Sequence, residues 1–197
     1  VYVAFLVNVT EASTSKTGDY FFHIGSPGGA TWTAYAGRVF AKVVSGNVNF
    51  GISNTSTATY GTTNFSRNTT YLLVVKYTIT TGTGNDAVSL WVIPSGVPTS
   101  EALAGTPEIN NTSTNGTDAI NTVGLRQGSA TTSTQVVVDA LRYGFDWTSV
   151  NQLLRQVTMF LISLRFILFG FFAMGATNDP LTCMAKSEGK DIWRAGD

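Results

Sequence analysis

From its first residue to a seam near Val150, the chain is a series of strand-length apolar runs separated by Thr, Ser, Asn and Gly, and no segment in that stretch keeps a helical period. In Val1-Tyr2-Val3-Ala4-Phe5-Leu6-Val7-Asn8-Val9 the odd positions are all apolar and the even ones mixed. A period of two is what a strand shows when one of its faces lies in a core. Comparable runs return at 19–24, 38–43, 47–52, 71–79, 87–93, 119–126 and 135–143. Ser45-Gly46 is expected to turn 38–43 tightly into 47–52, and the Gly, Asn and Asp residues of 81–86 supply the turn between 71–79 and 87–93. The 71–79 run is apolar on both faces and reads as a central strand. About eight short strands with turn signals between them predict an all-β chain, an antiparallel β-sandwich rather than a parallel α/β sheet, with a jelly-roll as the favoured version. The Gly-rich segment 26–37 reads as a loop. Residues 94–118, long, polar and Pro-bearing, read as a second loop, of a length that is often functional or mobile where it is not a plain surface excursion.

At 197 residues the chain fits one domain, 1–150, and an appendage, 151–197. Charged residues make up 12% and the net charge is zero, so there is no electrostatic footprint for nucleic acid or an acidic membrane surface. Polarity comes instead from hydroxyls and amides, a balance common in secreted and cell-surface β-proteins. The single cysteine, Cys183, lies beyond the seam and excludes an intrachain disulfide and a Cys-based metal site. The chain lacks an initiator Met and opens directly on a strand, so its natural N-terminus is expected to lie further upstream.

Beyond the seam the composition changes. Residues 157–176 are nearly unbroken apolar character, long enough to span a bilayer as a helix, with Arg165 as the one charge. Burying that arginine costs about 2.5–3.5 kcal/mol on insertion scales, which Leu161, Ile162, Phe166, Ile167, Leu168, Phe169, Phe171 and Phe172 can outweigh. Three readings stay open for this apolar, helix-forming tail. It is a membrane anchor, a helix packed on the sandwich or on a partner, or a non-native end produced by truncation or a shifted frame.

Four runs carry a family likeness: Gly18-Asp19-Tyr20-Phe21-Phe22-His23-Ile24-Gly25, Gly37-Arg38-Val39-Phe40-Ala41-Lys42, Asn68-Thr69-Thr70-Tyr71-Leu72-Leu73-Val74-Val75-Lys76-Tyr77 and Val138-Asp139-Ala140-Leu141-Arg142-Tyr143-Gly144. Together they resemble a concanavalin A-like (laminin G-like) jelly-roll domain, closest to versions in secreted multidomain surface proteins of Bacteroidetes. The closing Asp139-Ala140-Leu141-Arg142 with Trp147 after it is the most specific element. The resemblance covers 1–150 and implies a non-catalytic binding or adhesion module among the other domains of an exported or surface protein, with carbohydrate as the generic ligand. The tail is foreign to that pattern, since such a strand normally leads into another extracellular module.

The residues themselves point the same way on catalysis. Glycan cleavage needs two carboxylates across the scissile bond, which a strand presents as Glu-x-Asp or Glu-x-Glu. No such pair occurs, and Glu11, Asp19, Asp86, Glu101, Glu108, Asp118, Asp139 and Asp146 stand apart in the sequence. His23, the only histidine, sits within an aromatic strand and reads as structural rather than as a base. One His and a distant Cys do not make a zinc set. Calcium stays open through Asn85, Asp86 and Asp118, although turn chemistry accounts for those positions without a metal. A sugar platform needs an exposed aromatic beside amides and hydroxyls. Trp32 and Tyr35, in the segment read as a loop, with Arg38 at its edge, are the candidate ligand-binding residues. The alternatives are a purely structural spacer and a glycan-cleaving enzyme assembled from distant carboxylates. Sequons occur at Asn8, Asn54, Asn64, Asn68, Asn110, Asn111 and Asn115 and matter only in a eukaryotic host.

Overall fold

The computed structural model describes residues 1–11, 16–28, 31–82, 84–112, 120–152, 186–187 and 190–191; at 27, 28, 31–34 and the last two pairs it describes the backbone alone. The chain divides into a unit Val1–Thr158 and a unit Met159–Asp197. In the first, the strands are β1 (Tyr2–Val9), β2 (Asp19–Gly28), β3 (Thr31–Val44), β4 (Asn47–Ser53), β5 (Thr59–Tyr60), β6 (Phe65–Ser66), β7 (Thr70–Thr78), β8 (Ala87–Ile93), β9 (Ile109–Asn111), β10 (Thr122–Leu125) and β11 (Val136–Gly144). A short helix, α1 (Glu101–Ala104), precedes β9, and residues 147–152 are helical, here α2. In the second unit, β12 (Lys186–Ser187) and β13 (Lys190–Asp191) pair antiparallel. The apolar segment 157–176 lies outside the described residues. No helix among the described residues is long and apolar enough to cross a membrane.

The first unit is an all-β sandwich. One sheet has five strands in the order β11-β1-β7-β8-β9; the other has six, in the order β10-β2-β3-β4-β5 with β6 also on β4. Every pairing is antiparallel. The 38–43/47–52 hairpin forms as its sequence suggests, with Ser45 at φ 49° and Gly46 at φ 82°. Positive φ at both central residues makes a turn whose twist matches that of the strands it joins. β7 lies in the middle of its sheet between β1 and β8.

The odd residues of β1, Val3, Phe5, Val7 and Val9, enter the core between the sheets. Phe5 stacks on Phe22 of the opposite sheet at 4.6 Å between ring centroids and meets Phe21 edge-on at 6.3 Å. Phe50, Phe65 and Tyr71 tile the far end of the same layer at 5.1 to 6.3 Å. Full burial of one such side chain contributes about 1.5–3 kcal/mol.

A second apolar cluster covers the other face of the five-stranded sheet and explains the even positions of β1. Ala4, Leu72, Val74, Trp91 and Ile93 meet Val97, Ala104, Trp147 and Val150 there, with Tyr2 and Leu6 at the margin. Residues 94–105 are a loop carrying the short helix α1 and strapped onto this sheet; of the loop expected for 94–118, 109–111 form β9 and 113–118 lie outside the described residues. Two indoles pin the strap, Trp91 Nε1 donating to Gly105 O and Trp147 Nε1 to Pro98 O, each at 2.9 Å. The Glu101 carboxylate closes it further, accepting from Lys76 Nζ at 2.8 Å and from the Tyr2 hydroxyl at 2.6 Å. Lys76, Tyr2 and Trp147, which supply three of these bonds, are remote in sequence from the strap, so its composition does not announce them. Asp146 starts α2, its Oδ1 accepting from Ser149 N at 2.7 Å, and so drives Trp147 and Val150 onto the sheet.

Replacing Trp147 by Ala is expected to cost about 3–5 kcal/mol in urea unfolding, because it empties the contact with Trp91 at 5.4 Å and frees the strap. Thr148→Ala, on the exposed side of the same turn, is expected to change stability by less than about 0.5 kcal/mol.

Candidate functional site

The six-stranded sheet sets a group of aromatic and cationic side chains on the face turned from the core. Val39, Ala41 and Val43 of β3 point inward, so Arg38, Phe40 and Lys42 point outward. Tyr35 would face the opposite way from Arg38 in a regular strand, three residues apart. A bulge brings them together. Ile24 pairs with Ala36 and Phe22 with Val39, so Gly37 and Arg38 oppose the single residue His23. Gly37 adopts φ 48°, its N–H leaves the ladder to donate to Asn54 Oδ1 at 3.0 Å, and a Cβ there would lie 2.8 Å from the Ile24 side chain. Glycine alone suits all three conditions. A second shift, between Tyr20 and Phe22, puts both Phe21 and Phe22 in the core and leaves Tyr20 and His23 outside.

The result is a row of rings crossing four strands. His23 lies 5.1 Å from Tyr35 and 5.9 Å from Tyr20, Tyr20 lies 5.6 Å from Phe40, and Phe40 lies 6.4 Å from Tyr60, centroid to centroid. Tyr60 reaches the row because β4 presents Gly51 beneath it: a Cβ at Gly51 would sit 2.9 Å from the Tyr60 ring. Cations interleave with the rings. The Arg38 guanidinium lies 5.2 Å from the Tyr20 centroid and 5.4 Å from that of Tyr35; Arg126 lies 4.3 Å from Tyr20, and Lys42 Nζ 3.9 Å from Tyr60. Asp19 is the acidic member, its Oδ2 2.7 Å from Arg126 Nη1.

Burial, followed by the fields of Arg38 and Arg126, pushes the His23 imidazole down to about 4. The ring is neutral at physiological pH and serves as an aromatic wall. The Tyr60 phenol is pushed up to about 12, by burial and then by Asp19, and stays protonated.

Trp32 and Tyr35, expected in a loop, both lie in β3. Pro27, Gly28 and an irregular register near Ser26 hide the alternation that marks a strand, yet Pro27 pairs with Trp32 and Gly25 with Tyr35. The Trp32 side chain is outside the described atoms. Tyr35 and Arg38 are brought together. Tyr20, Phe40, Lys42, Tyr60 and Arg126 were not singled out by the sequence reading, although Arg38, Phe40 and Lys42 at alternate positions were a usable signal. Asp86 is buried and accepts from the Tyr77 hydroxyl at 2.7 Å and Thr80 N at 2.8 Å, which ties it into the β7–β8 turn. Asp118, its suggested calcium partner, lies outside the described residues. Among those residues, no three His, Cys, Asp or Glu side chains group as a metal site. The Asn54 sequon is structural, since that side chain is buried and holds the bulge.

Comparisons with protein-family models, curated proteins and solved structures find no match to this chain.

Because folded His23 binds its proton only near pH 4 and the unfolded residue near its ordinary 6.5, the unfolded state holds the extra proton between these values. Stability from this group is therefore lost as pH falls from about 6.5 to about 4, with a limiting slope of about 1.4 kcal/mol per pH unit. Urea unfolding of His23→Gln across that range is expected to be flatter than that of the parent protein.

Proposed function

We propose that the chain is a non-catalytic carbohydrate-binding module, a jelly-roll of concanavalin A-like type working in an exported or cell-surface protein, and that its binding surface is the outer face of the six-stranded sheet. The observation that carries the reading is the half-buried Tyr35, Tyr20 and Tyr60, packed about the buried Phe40, with cations set between the rings. Sugar rings offer apolar C–H faces that pack on aromatic rings and hydroxyls that bond to flanking polar groups, so a half-exposed aromatic strip beside charged donors suits them. Tyr20, Tyr35, Arg38, Lys42 and Tyr60 are all half-buried, which leaves ring edges and donors accessible while the sheet fixes their spacing. The jelly-roll reading is supported by the way the chain alternates between sheets, β1 in one, β2 to β6 in the other, β7 to β9 back in the first, β10 in the second and β11 beside β1. Fold resemblance alone does not fix a ligand, so the weight rests on the face.

No reaction is assigned to this face. Asp19, its described carboxylate, is engaged by Arg126 and by the Thr132 hydroxyl at 3.3 Å.

A glycan array with the full chain is expected to give signals that fall at least tenfold in Tyr35→Ala and in Tyr20→Ala, with Trp32→Ala testing the neighbouring position on β3. A folded parent protein that binds no glycan would favour the spacer reading, and signals indifferent to Tyr20 and Tyr35 would move the site elsewhere.

A further inference from the structure

The charges on this face are unequally matched. Among the described residues it holds three cations, Arg38, Lys42 and Arg126, and one carboxylate, Asp19, which is spent on Arg126. Neither Arg38 nor Lys42 has a carboxylate within 4.0 Å among those residues. Glu108, beside the β5 edge at Gly61, is occupied by the backbone N–H of Thr63 at 3.0 Å and its hydroxyl at 2.8 Å. The Arg38 Nε is buried with no hydrogen-bond partner among the described residues, and its guanidinium is held between two tyrosine rings.

A guanidinium held in place by rings, with no carboxylate beside it among the described residues, is preorganised for an anion, because its orientation is already fixed. In a chain of zero net charge and only 12% charged residues, two cations on one aromatic strip with no carboxylate partner among the described residues are a concentrated feature. The lowered proton affinity of His23 registers the same field, since Arg38 and Arg126 both disfavour a further positive charge there. Resting on the carbohydrate reading above, we infer that the ligand is an acidic saccharide, one whose pyranose rings pack on Tyr20 and Tyr35 while a carboxylate or sulfate group on the sugar pairs with Arg38, and a second with Lys42. The shared chemistry is an anionic group on a sugar ring; a uronic acid and a sulfate ester are its two sources.

Affinity electrophoresis of the full chain separates these cases. The gels contain polygalacturonate, the same polymer fully methyl-esterified, dextran sulfate, or plain dextran. Retardation by at least one acidic polymer is expected to exceed that by its neutral counterpart at least tenfold in apparent affinity and to weaken steeply between 50 and 200 mM salt. Arg38→Gln and Lys42→Gln are each expected to reduce it about fivefold to tenfold. Lys42→Gln lies on the half-exposed rim, so it stays informative if Arg38→Gln unfolds. Retention by polygalacturonate alone assigns a uronic acid, and by dextran sulfate alone a sulfate ester. Equal retention by charged and neutral polymers overturns the acidic preference but leaves the carbohydrate reading standing. Acidic retention unchanged in Lys42→Gln and in a folded Arg38→Gln overturns the assignment to this face. Binding to no polymer here and no glycan on the array overturns both.

Discussion

The bulge at Gly37 decides what this sandwich can do. β3 is a fourteen-residue strand, and strict alternation along it would send Tyr35 and Arg38 to opposite faces. One extra residue resets the parity. Ala36 and Val39 then both face the core, while Tyr35 and Arg38 share the exterior. The reset requires a backbone in the left-handed region, room for no side chain beside Ile24, and an acceptor for the displaced N–H, which Asn54 provides from the residue just past β4. Removing any of these would return the strand to regular register and scatter the aromatic row.

The two sheets are treated differently on their outer faces, and the difference divides labour. The five-stranded sheet is covered by the strap and by α2, whose Trp147 and Val150 complete a second apolar layer. Its ionic closure, Glu101 with Lys76 and Tyr2, locks the cover in place. Burial raises the Glu101 carboxyl, but the hydrogen bonds from Lys76 and Tyr2 outweigh it and hold the group below its ordinary value. This closure therefore contributes stability at neutral pH and loses it as acid protonates Glu101. The six-stranded sheet carries no such cover among the described residues, and its outer rings are packed by one another and by cations. The five-stranded sheet is thus packed on both of its faces, and the six-stranded sheet is held to it through the shared core.

Much of the architecture was legible in the sequence, and the physical reason is periodicity. β1, β4, β7 and β8 announce themselves through apolar alternation or through continuous apolar runs, and Ser45-Gly46 marks its turn. Tyr35 and Arg38 do share one face, but Trp32 and Tyr35 lie in a strand and not in the loop expected for 26–37, because glycine and proline mask a strand that is held by its partners rather than by its own propensity. Tyr60 was illegible for a different reason. It belongs to a two-residue strand, and its position over Gly51 depends on a register that no local pattern encodes. The docking of the 94–105 loop was not legible because Trp147, Lys76 and Tyr2, which hold it, lie far away in the chain.

The most direct test of the account is the through-space contact map of the Tyr35 and Arg38 side chains by proton NMR in solution. Cross-peaks linking the Tyr35 ring to the His23 ring, 5.1 Å away between centroids, and the Arg38 side chain to both Tyr20 and Tyr35 are the expected result. Cross-peaks placing Tyr35 among core residues such as Phe22 and Val39, with Arg38 alone outside, would mean that the bulge does not form and that the aromatic face does not exist.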